Sequence, residues 1–288
     1  MDEHRIATST VSARISAHGA ELQSLTDGAG REYLWQAGPA WPRRAPVLFP
    51  IVGRLANDTL RHNGKTYRLT QHGFARDRRF EWVERTATSC ILALTDDDAT
   101  RALYPFAFRF EVAFAIEAGA LAVRFTIINT GDEILPASMG AHPAFAWPLP
   151  GVATGTPHHL IFSADEPAPI RRLAGGLLRP DPLPSPIAGR TLALDAALFV
   201  DDAIILDRLA STSVRFTAPG VPGLDVAWDG FSELGLWQKP GAGFLCIEPW
   251  CGYASPAGFD GAFADKPGLL LIPPGARRAA IHRLRPLA

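Results

Sequence analysis

Apolar and polar residues alternate with period two along most of the chain, a pattern that predicts β-strands rather than helices. The longest alternating segment covers residues 108–127 and is interrupted by a turn at Gly119-Ala120. It predicts a long antiparallel hairpin with one side facing the core. A second hairpin is predicted at Asn63-Gly64, because this dipeptide favours two-residue hairpin turns.

Further strands are predicted wherever shorter alternating or apolar runs lie between turn-forming residues. These runs are residues 6–15, 19–25, 32–35, 80–84, 90–94, 203–206, 213–217, 224–228, 234–237, 269–272 and 278–284. Helical periodicity is confined to short segments such as residues 98–103. Many strands at regular spacing, separated by turns that contain Gly or Pro, are typical of a β-sandwich or barrel.

Two proline-containing segments depart from this pattern. In residues 43–55, Pro46 and Pro50 argue against a helix and against a central strand, so we expect an ordered, partly buried loop. Residues 151–198 are either a linker between domains or a long excursion from one domain. The strand pattern continues on both sides, which favours the excursion. We therefore predict one all-β domain over residues 1–288, a sandwich of large sheets.

Composition narrows the classes of function. The 28 basic and 29 acidic residues nearly cancel, which argues against nucleic acid or an anionic membrane as the main partner. The charged start is followed by no apolar signal region, and no apolar run approaches the length of a membrane span. With an odd number of cysteines (Cys90, Cys246 and Cys251), this predicts a cytoplasmic location.

One carboxylate, Glu248, lies inside the apolar and aromatic run of residues 243–252. The run is short and bounded by Gly and Pro, so we expect a buried strand. Because burying an unpaired charge is costly, Glu248 needs a partner or a task. It is either a catalytic base that faces a polar pocket or the ion-pair partner of an arginine, and this stretch alone leaves both open.

Two histidines stand out beside this glutamate. His72 follows the predicted hairpin next to Gly73, and His142 precedes Pro143, which favours an extended backbone at His142. A single histidine among aromatic residues is more often structural. Two such histidines together with one isolated glutamate favour a functional site.

Several other site types fit poorly. A dinucleotide-binding GxGxxG, a P-loop, HExxH and GxSxG are all missing from the sequence. His72, His142 and Glu248 could supply metal ligands, but their spacing matches no compact metal motif, so we expect no metal. A glycosidase would need a second carboxylate, for which Asp202 is only a candidate.

Four stretches resemble the aldose 1-epimerase (mutarotase) superfamily, and in particular its LacX-like branch. They are RAPVLFPIVGR at residues 44–54, QHGFARD at 71–77, GAHPAF at 140–145 and CIEPW at 246–250. No single stretch is decisive, but the four follow one another in the family's order. The resemblance implies a galactose-mutarotase-like β-supersandwich that holds one aldose sugar in a cleft, without metal or organic cofactor.

The resemblance also implies roles for individual residues. Glu248 would be the general base and His142 the general acid that open and reclose the sugar ring. Arg54 and His72 would bind and polarise the sugar. Two residues in less distinctive motifs, Asp202 and Lys239, would also bind it. Three tryptophans are candidates to stack on the sugar, with core packing as the alternative for each: Trp147, Trp237 and Trp250.

The substrate and the oligomeric state stay open at this stage. Four arginines on these stretches (Arg43, Arg44, Arg54 and Arg76) would suit a phosphate, so a hexose-6-phosphate mutarotase is one alternative. A non-catalytic sugar-binding or sensing module is a second. A carbohydrate lyase or hydrolase on a related sandwich is a third.

Overall fold

The computed structural model describes residues 2–287 and consists mainly of β-strands. Numbered in chain order, the strands of the first half are β1 (Glu3–Ala7), β2 (Val11–Ser16), β3 (Leu22–Asp27), β4 (Val47–Leu48), β5 (Thr59–His62), β6 (Lys65–Arg68), β7 (Glu81–Arg85), β8 (Ser89–Thr95), β9 (Phe108–Glu117), β10 (Ala120–Asn129), β11 (Leu135–Ala137), β12 (Met139–Ala141) and β13 (Ala144–Ala146).

The second half of the chain contributes the remaining strands. They are β14 (His159–Phe162), β15 (Leu173–Ala174), β16 (Leu177–Leu178), β17 (Thr191–Ala193), β18 (Ile204–Leu206), β19 (Ser213–Ala218), β20 (Val221–Asp229), β21 (Glu233–Trp237), β22 (Phe244–Cys251), β23 (Leu270–Ile272) and β24 (Arg277–Pro286).

Helices are short throughout the described residues. The α-helix, α1 (Asp98–Arg101), begins with a capping box in which the Asp97 carboxylate accepts from the Thr100 backbone N–H. Single 3-10 turns lie at Ala56–Asp58, Ala75–Asp77, Ala196–Phe199 and Phe263–Asp265. No helix within residues 2–287 has the length and apolar character needed to cross a membrane.

Two large antiparallel sheets form the framework, so the predicted all-β sandwich class is confirmed. One sheet has nine strands in the order β17-β14-β19-β20-β24-β10-β9-β8-β7. The second has six strands, in the order β18-β21-β22-β12-β4, with β13 paired to β22 beside β12. A three-stranded sheet, β1-β2-β3, and the hairpin β5-β6 complete the framework together with smaller strand pairs.

The two predicted hairpins are confirmed. In the longer one, β9 and β10 pair along their full length from Ala120 opposite Glu117 to Asn129 opposite Phe108. Four inward residues of β9, namely Phe108, Phe110, Val112 and Phe114, are buried and alternate with partly exposed ones. One continuous hydrophobic cluster runs from Ile6 to Leu284 between the sheets.

Three local predictions differ from the structure. Residues 6–15 form two strands, because the Thr8 hydroxyl accepts from the Thr10 and Val11 backbone N–H groups and closes a turn. Residues 32–35 make isolated bridges instead of a strand. The segment 151–198 is more regular than its prolines indicate, because it adds β14 and β17 to the end of the nine-stranded sheet.

Strand β22 is the centre of the six-stranded sheet and carries Pro249 in its interior, where a proline is unusual. Its neighbour on one side is interrupted, because β12 ends at Ala141 and β13 begins at Ala144. The Ile247 N–H donates to the Pro143 carbonyl at this interruption, and by strand alternation Pro249 faces the same side. Pro249 has no N–H group, and its nitrogen faces the gap between β12 and β13, where the regular hydrogen bonds between strands are interrupted.

Candidate active site

A cleft of about 300 Å³ opens on the outer face of the six-stranded sheet. Alternation along β22 creates this face, because Leu245, Ile247 and Cys251 join the main core while the residues between them point the other way. Residues that are far apart in the chain line the cleft, namely Trp41, Val52, Gly53, Gln71, His72, Arg76, His142, Leu173, Asp202, Ala203, Ile205, Trp237, Glu248, Trp250 and Ala254.

Glu248 and His142 form a close pair at the bottom of the cleft. The His142 Nε2 atom lies 3.3 Å from Glu248 Oε2. His142 occupies the interruption between β12 and β13, where its backbone N–H donates to the Pro46 carbonyl. The side chain that lies against Glu248 is thus a histidine, whereas the alternative interpretation from sequence was an ion pair with an arginine.

Burial controls the protonation of this pair. Glu248 is 1% exposed, and burial raises the pKa of its carboxyl group well above the usual value, with the Asp202 charge adding to the shift. Burial, with a smaller contribution from the Arg76 charge, lowers the pKa of His142 from 6.5 to about 3. Both shifts favour the uncharged state, in which one proton resides on Glu248 and the imidazole is neutral.

His72 faces His142 with a defined tautomer. Its Nδ1 atom accepts a hydrogen bond from the Gly53 backbone N–H, at 3.1 Å, so the ring proton lies on Nε2. The two imidazole rings meet edge to face at 5.6 Å between centroids. Burial, then the neighbouring His142 and arginine charges, hold the pKa of His72 well below its ordinary value. His72 is therefore a neutral hydrogen-bond donor in the cleft wall.

Asp202 also lines the cleft, and an arginine holds its backbone in place. Its φ of +69° lies in the left-handed region, which is unfavourable for a residue with a side chain. The buried Arg172 guanidinium donates to the Asp202 carbonyl at 2.6 Å and to the Leu198 carbonyl at 2.7 Å. Arg172 belongs to the proline-rich segment 151–198, so this segment holds the backbone of the Asp202 loop in place.

Arg54 and Lys239 lie beside the cleft lining and contact other protein groups. Arg54 makes a two-pronged ion pair with Asp58, with its Nε atom 2.7 Å from Oδ1 and Nη2 3.2 Å from Oδ2. Lys239 Nζ donates to the Ala40 carbonyl at 2.7 Å. Their roles as sugar ligands stay predictions. In this structure Lys239 anchors the loop that precedes Trp41.

Trp41 is a cleft residue that the sequence analysis missed. Its ring stacks on His142 at 5.1 Å between centroids and also contacts Trp237 and Phe244. The Trp35 indole N–H donates to the Trp41 carbonyl, so this loop is held both here and by Lys239 at the Ala40 carbonyl. The only signal in the sequence is a tryptophan between prolines, in Pro39-Ala40-Trp41-Pro42, just before the first family-like stretch.

The three tryptophans named from the sequence separate into two groups. Trp237 and Trp250 line the cleft, whereas Trp147 packs against His158 outside it. A Cβ atom added to either Gly140 or Gly235 would overlap the Trp250 ring. The indole therefore lies flat over two glycines on the neighbouring strands β12 and β21.

Arg76 brings a positive charge to the cleft wall. Its Nη2 atom donates to the Gln71 carbonyl at 2.8 Å, and its Nε atom is 3.7 Å from the Asp77 carboxylate. Asp77 is bound more closely by Arg43, at 2.8 Å. Burial and the charge of Arg43 lower the pKa of Arg76, so its charge is incompletely compensated.

A second depression, of about 400 Å³, lies on the outer face of the nine-stranded sheet. Two of its charged residues, Arg215 and Asp225, engage each other in a bidentate ion pair. Neither a buried titratable pair nor an aromatic cluster lines it. The smaller cleft around Glu248 is therefore the better candidate for an active site.

Comparison with known proteins places the chain among carbohydrate-related sequences. A family described as aldose 1-epimerase matches residues 2–279. The plasmid-encoded protein LacX of Lactococcus lactis subsp. lactis is 32% identical over 268 residues, which covers 89% of this chain and 90% of LacX.

Solved structures with similar folds also come from galactose mutarotase-related proteins. A galactose mutarotase related enzyme from Lactobacillus acidophilus superposes with a TM-score of 0.89 at 31% identity, covering 99% of this chain and 97% of that one. A galactose mutarotase-like protein from Lactobacillus casei also gives 0.89, at 27% identity, covering 98% of this chain and 99% of that one.

Replacing Arg172 tests its support of the Asp202 loop. In Arg172→Ala the Leu198 and Asp202 carbonyl groups lose their charged donor, and a hydrogen bond to a charged group contributes about 1.5–3 kcal/mol. We expect faster amide exchange in residues 198–203, measured by mass spectrometry. The matched control is Arg190→Ala, because Arg190 is a 52% exposed arginine of the same segment. Equal exchange in both variants would contradict the supporting role.

Proposed function

The chain belongs to the aldose 1-epimerase family, and from that premise we propose that it interconverts the α and β anomers of a hexose. The observation that carries the proposal is the buried pair of Glu248 and His142, 3.3 Å apart in a cleft of about 300 Å³. This volume is at the small end of ligand sites and suits one monosaccharide.

The reaction needs one base and one acid. Glu248 removes the proton from the C1 hydroxyl while His142 protonates the ring oxygen. The C1–O5 bond breaks, its electron pair stays on O5, and C1 becomes an aldehyde carbon. Rotation about C1–C2 followed by the reverse proton transfers closes the ring on the other face. Each positioned acid or base contributes about 10²–10⁴-fold to the rate.

The pair already carries the proton that this reaction needs. A neutral Glu248 beside a neutral His142 and a carboxylate beside an imidazolium hold the same total number of protons. The two states differ only by a transfer across the 3.3 Å contact. Binding of a polar sugar would favour the charged state, because its hydroxyl groups replace missing solvent around the carboxylate. The catalytic state therefore arises without exchange of protons with the solvent.

Neighbouring side chains complete the proposed site. The Nε2–H group of His72 donates to a sugar oxygen, and Asp202 accepts from a sugar hydroxyl. Trp41 and Trp237 provide aromatic surface close to His142, where the apolar face of a sugar ring would pack.

Glu248→Gln and His142→Asn test the acid and base assignment. Each change removes one proton-transfer group, so we expect the enzymatic rate to fall about 10²–10⁴-fold in each variant. Polarimetry on freshly dissolved α-glucose and α-galactose measures it, and circular dichroism checks the fold.

The chain offers a matched control for these two variants. His62 and Glu133 form a second histidine–glutamate pair, also at 3.3 Å but near the surface and outside the cleft lining. His62→Asn and Glu133→Gln should leave the rate unchanged. Sugar binding by the wild type without mutarotation would instead favour a non-catalytic sugar-binding module.

The pH dependence offers a further test. An unperturbed histidine would lose activity below pH 6.5, but the pKa of His142 is lowered to about 3. The pair therefore takes up a second, inactivating proton only far below neutrality, and loses its single proton only as the pH rises through the raised pKa of Glu248. We therefore expect no loss of kcat/KM as the pH falls from 6.5 to about 5. A decline centred near pH 6.5 would be inconsistent with this pair.

A phosphorylated hexose is the second candidate substrate. Arg76 supports it, because this mostly buried guanidinium lines the cleft and its ion pair with Asp77 is long, at 3.7 Å. An anionic group on the sugar would compensate the Arg76 charge.

The activity of Arg76→Gln on glucose and on glucose 6-phosphate distinguishes the two candidate substrates. If the phosphate binds Arg76, kcat/KM on glucose 6-phosphate should fall about 10- to 100-fold, because hydrogen bonds to charged groups contribute about 1.5–3 kcal/mol. The value on glucose should change much less. Arg61→Gln serves as the surface control. Equal losses on both sugars would argue against a phosphate site at Arg76.

A further inference from the structure

Cys246 lies beside the proposed catalytic pair but has no part in the proposed reaction. It is two residues from Glu248 on β22, so both side chains project from the same face of the sheet. One ligand atom each from His142, Cys246 and Glu248 lies within 4.8 Å of the other two. All three residues are buried, and Glu248 Oε2 has no hydrogen-bond partner within the described residues.

The spacing of these atoms suits a tetrahedral metal ion. Zinc bonds to histidine nitrogen and carboxylate oxygen are about 2.0–2.2 Å long, so two such ligands of a tetrahedron lie roughly 3.3–3.4 Å apart. The Nε2 to Oε2 distance in the pair is 3.3 Å. A thiolate lies about 2.3 Å from a bound zinc ion, so binding would draw the Cys246 Sγ atom inward from its present separation of at most 4.8 Å from the other two ligand atoms.

We propose that the cleft binds a divalent transition-metal ion of the zinc class through Cys246, His142 and Glu248, and that this ion inhibits the enzyme. The inhibition rests on the proposed function, whereas the binding does not. The fourth coordination position would open toward the cleft and take a water molecule or a sugar hydroxyl.

The donor set determines which ions bind. A thiolate together with an imidazole selects zinc and similar soft or borderline ions over magnesium and calcium, which prefer oxygen ligands. Binding replaces the thiol proton of Cys246 and the carboxyl proton of the pair, and both protons leave to solvent. The metal then holds the only acid and the only base of the proposed reaction, so ring opening stops.

Cobalt(II) titration of the full-length protein tests the site without reference to activity. A cobalt–thiolate bond gives a charge-transfer band in the near ultraviolet. We expect this band in the wild type and its loss in both Cys246→Ala and Cys246→Ser. Cys251→Ala is the matched control, because Cys251 lies on the same strand but faces the main core. Thermal unfolding checks that every variant is folded.

Inhibition by zinc provides the second measurement. Mutarotation by the wild type should fall with rising Zn²⁺ and be unaffected by Mg²⁺. The Zn²⁺ concentration for half inhibition should rise at least about 10- to 100-fold in Cys246→Ser, since losing even an outer-shell partner costs that much.

Three outcomes separate the proposals. A cobalt–thiolate band that is absent from the wild type, or unchanged in both Cys246 variants, overturns the metal site. Equal zinc inhibition of wild type and Cys246→Ser overturns it as well. A wild-type band without any mutarotase activity supports the metal site and contradicts the proposed function.

Discussion

The cleft depends on keeping one carboxyl group almost entirely out of water. Glu248 is 1% exposed and projects from the middle of an apolar sheet face. A lone charge there would be strongly unfavourable. The neighbouring imidazole of His142, 3.3 Å away, lies in the same buried surroundings, which favour the uncharged form of both groups. Trp41, stacked over His142, limits access of water to the same pair.

An irregularity in the six-stranded sheet makes this pairing possible. If β12 and β13 were one continuous strand, residue 142 would be one more ladder position beside β22. The break at His142 and Pro143 instead lets the imidazole reach the carboxylate, and the proline at position 249 is tolerated at the same place. Sheet order and active-site geometry are therefore set by the same few residues.

Local patterns were sufficient for the sheet class and for the long hairpins, because alternation and turn residues act between close neighbours. They were insufficient at residues 6–15, where a threonine hydroxyl closes a turn inside an alternating run. Four polar residues that line the cleft were named as site residues from the sequence, namely His72, His142, Asp202 and Glu248, but Trp41 and Arg172 were not. Their contacts, with His142 and with the Asp202 carbonyl, join segments far apart in the chain. The local alternation of apolar and polar residues carries no information about contacts between distant segments.

The position of Trp250 over Gly140 and Gly235 has an evolutionary consequence. Each glycine can gain a side chain only if the indole shrinks or moves, so substitutions at these three positions are coupled. Related proteins should therefore either keep all three residues or change them together. A smaller residue at position 250 would free volume at the cleft wall. Divergence of the cleft wall within the family would then proceed by replacing this three-residue unit, with Glu248 and His142 left in place.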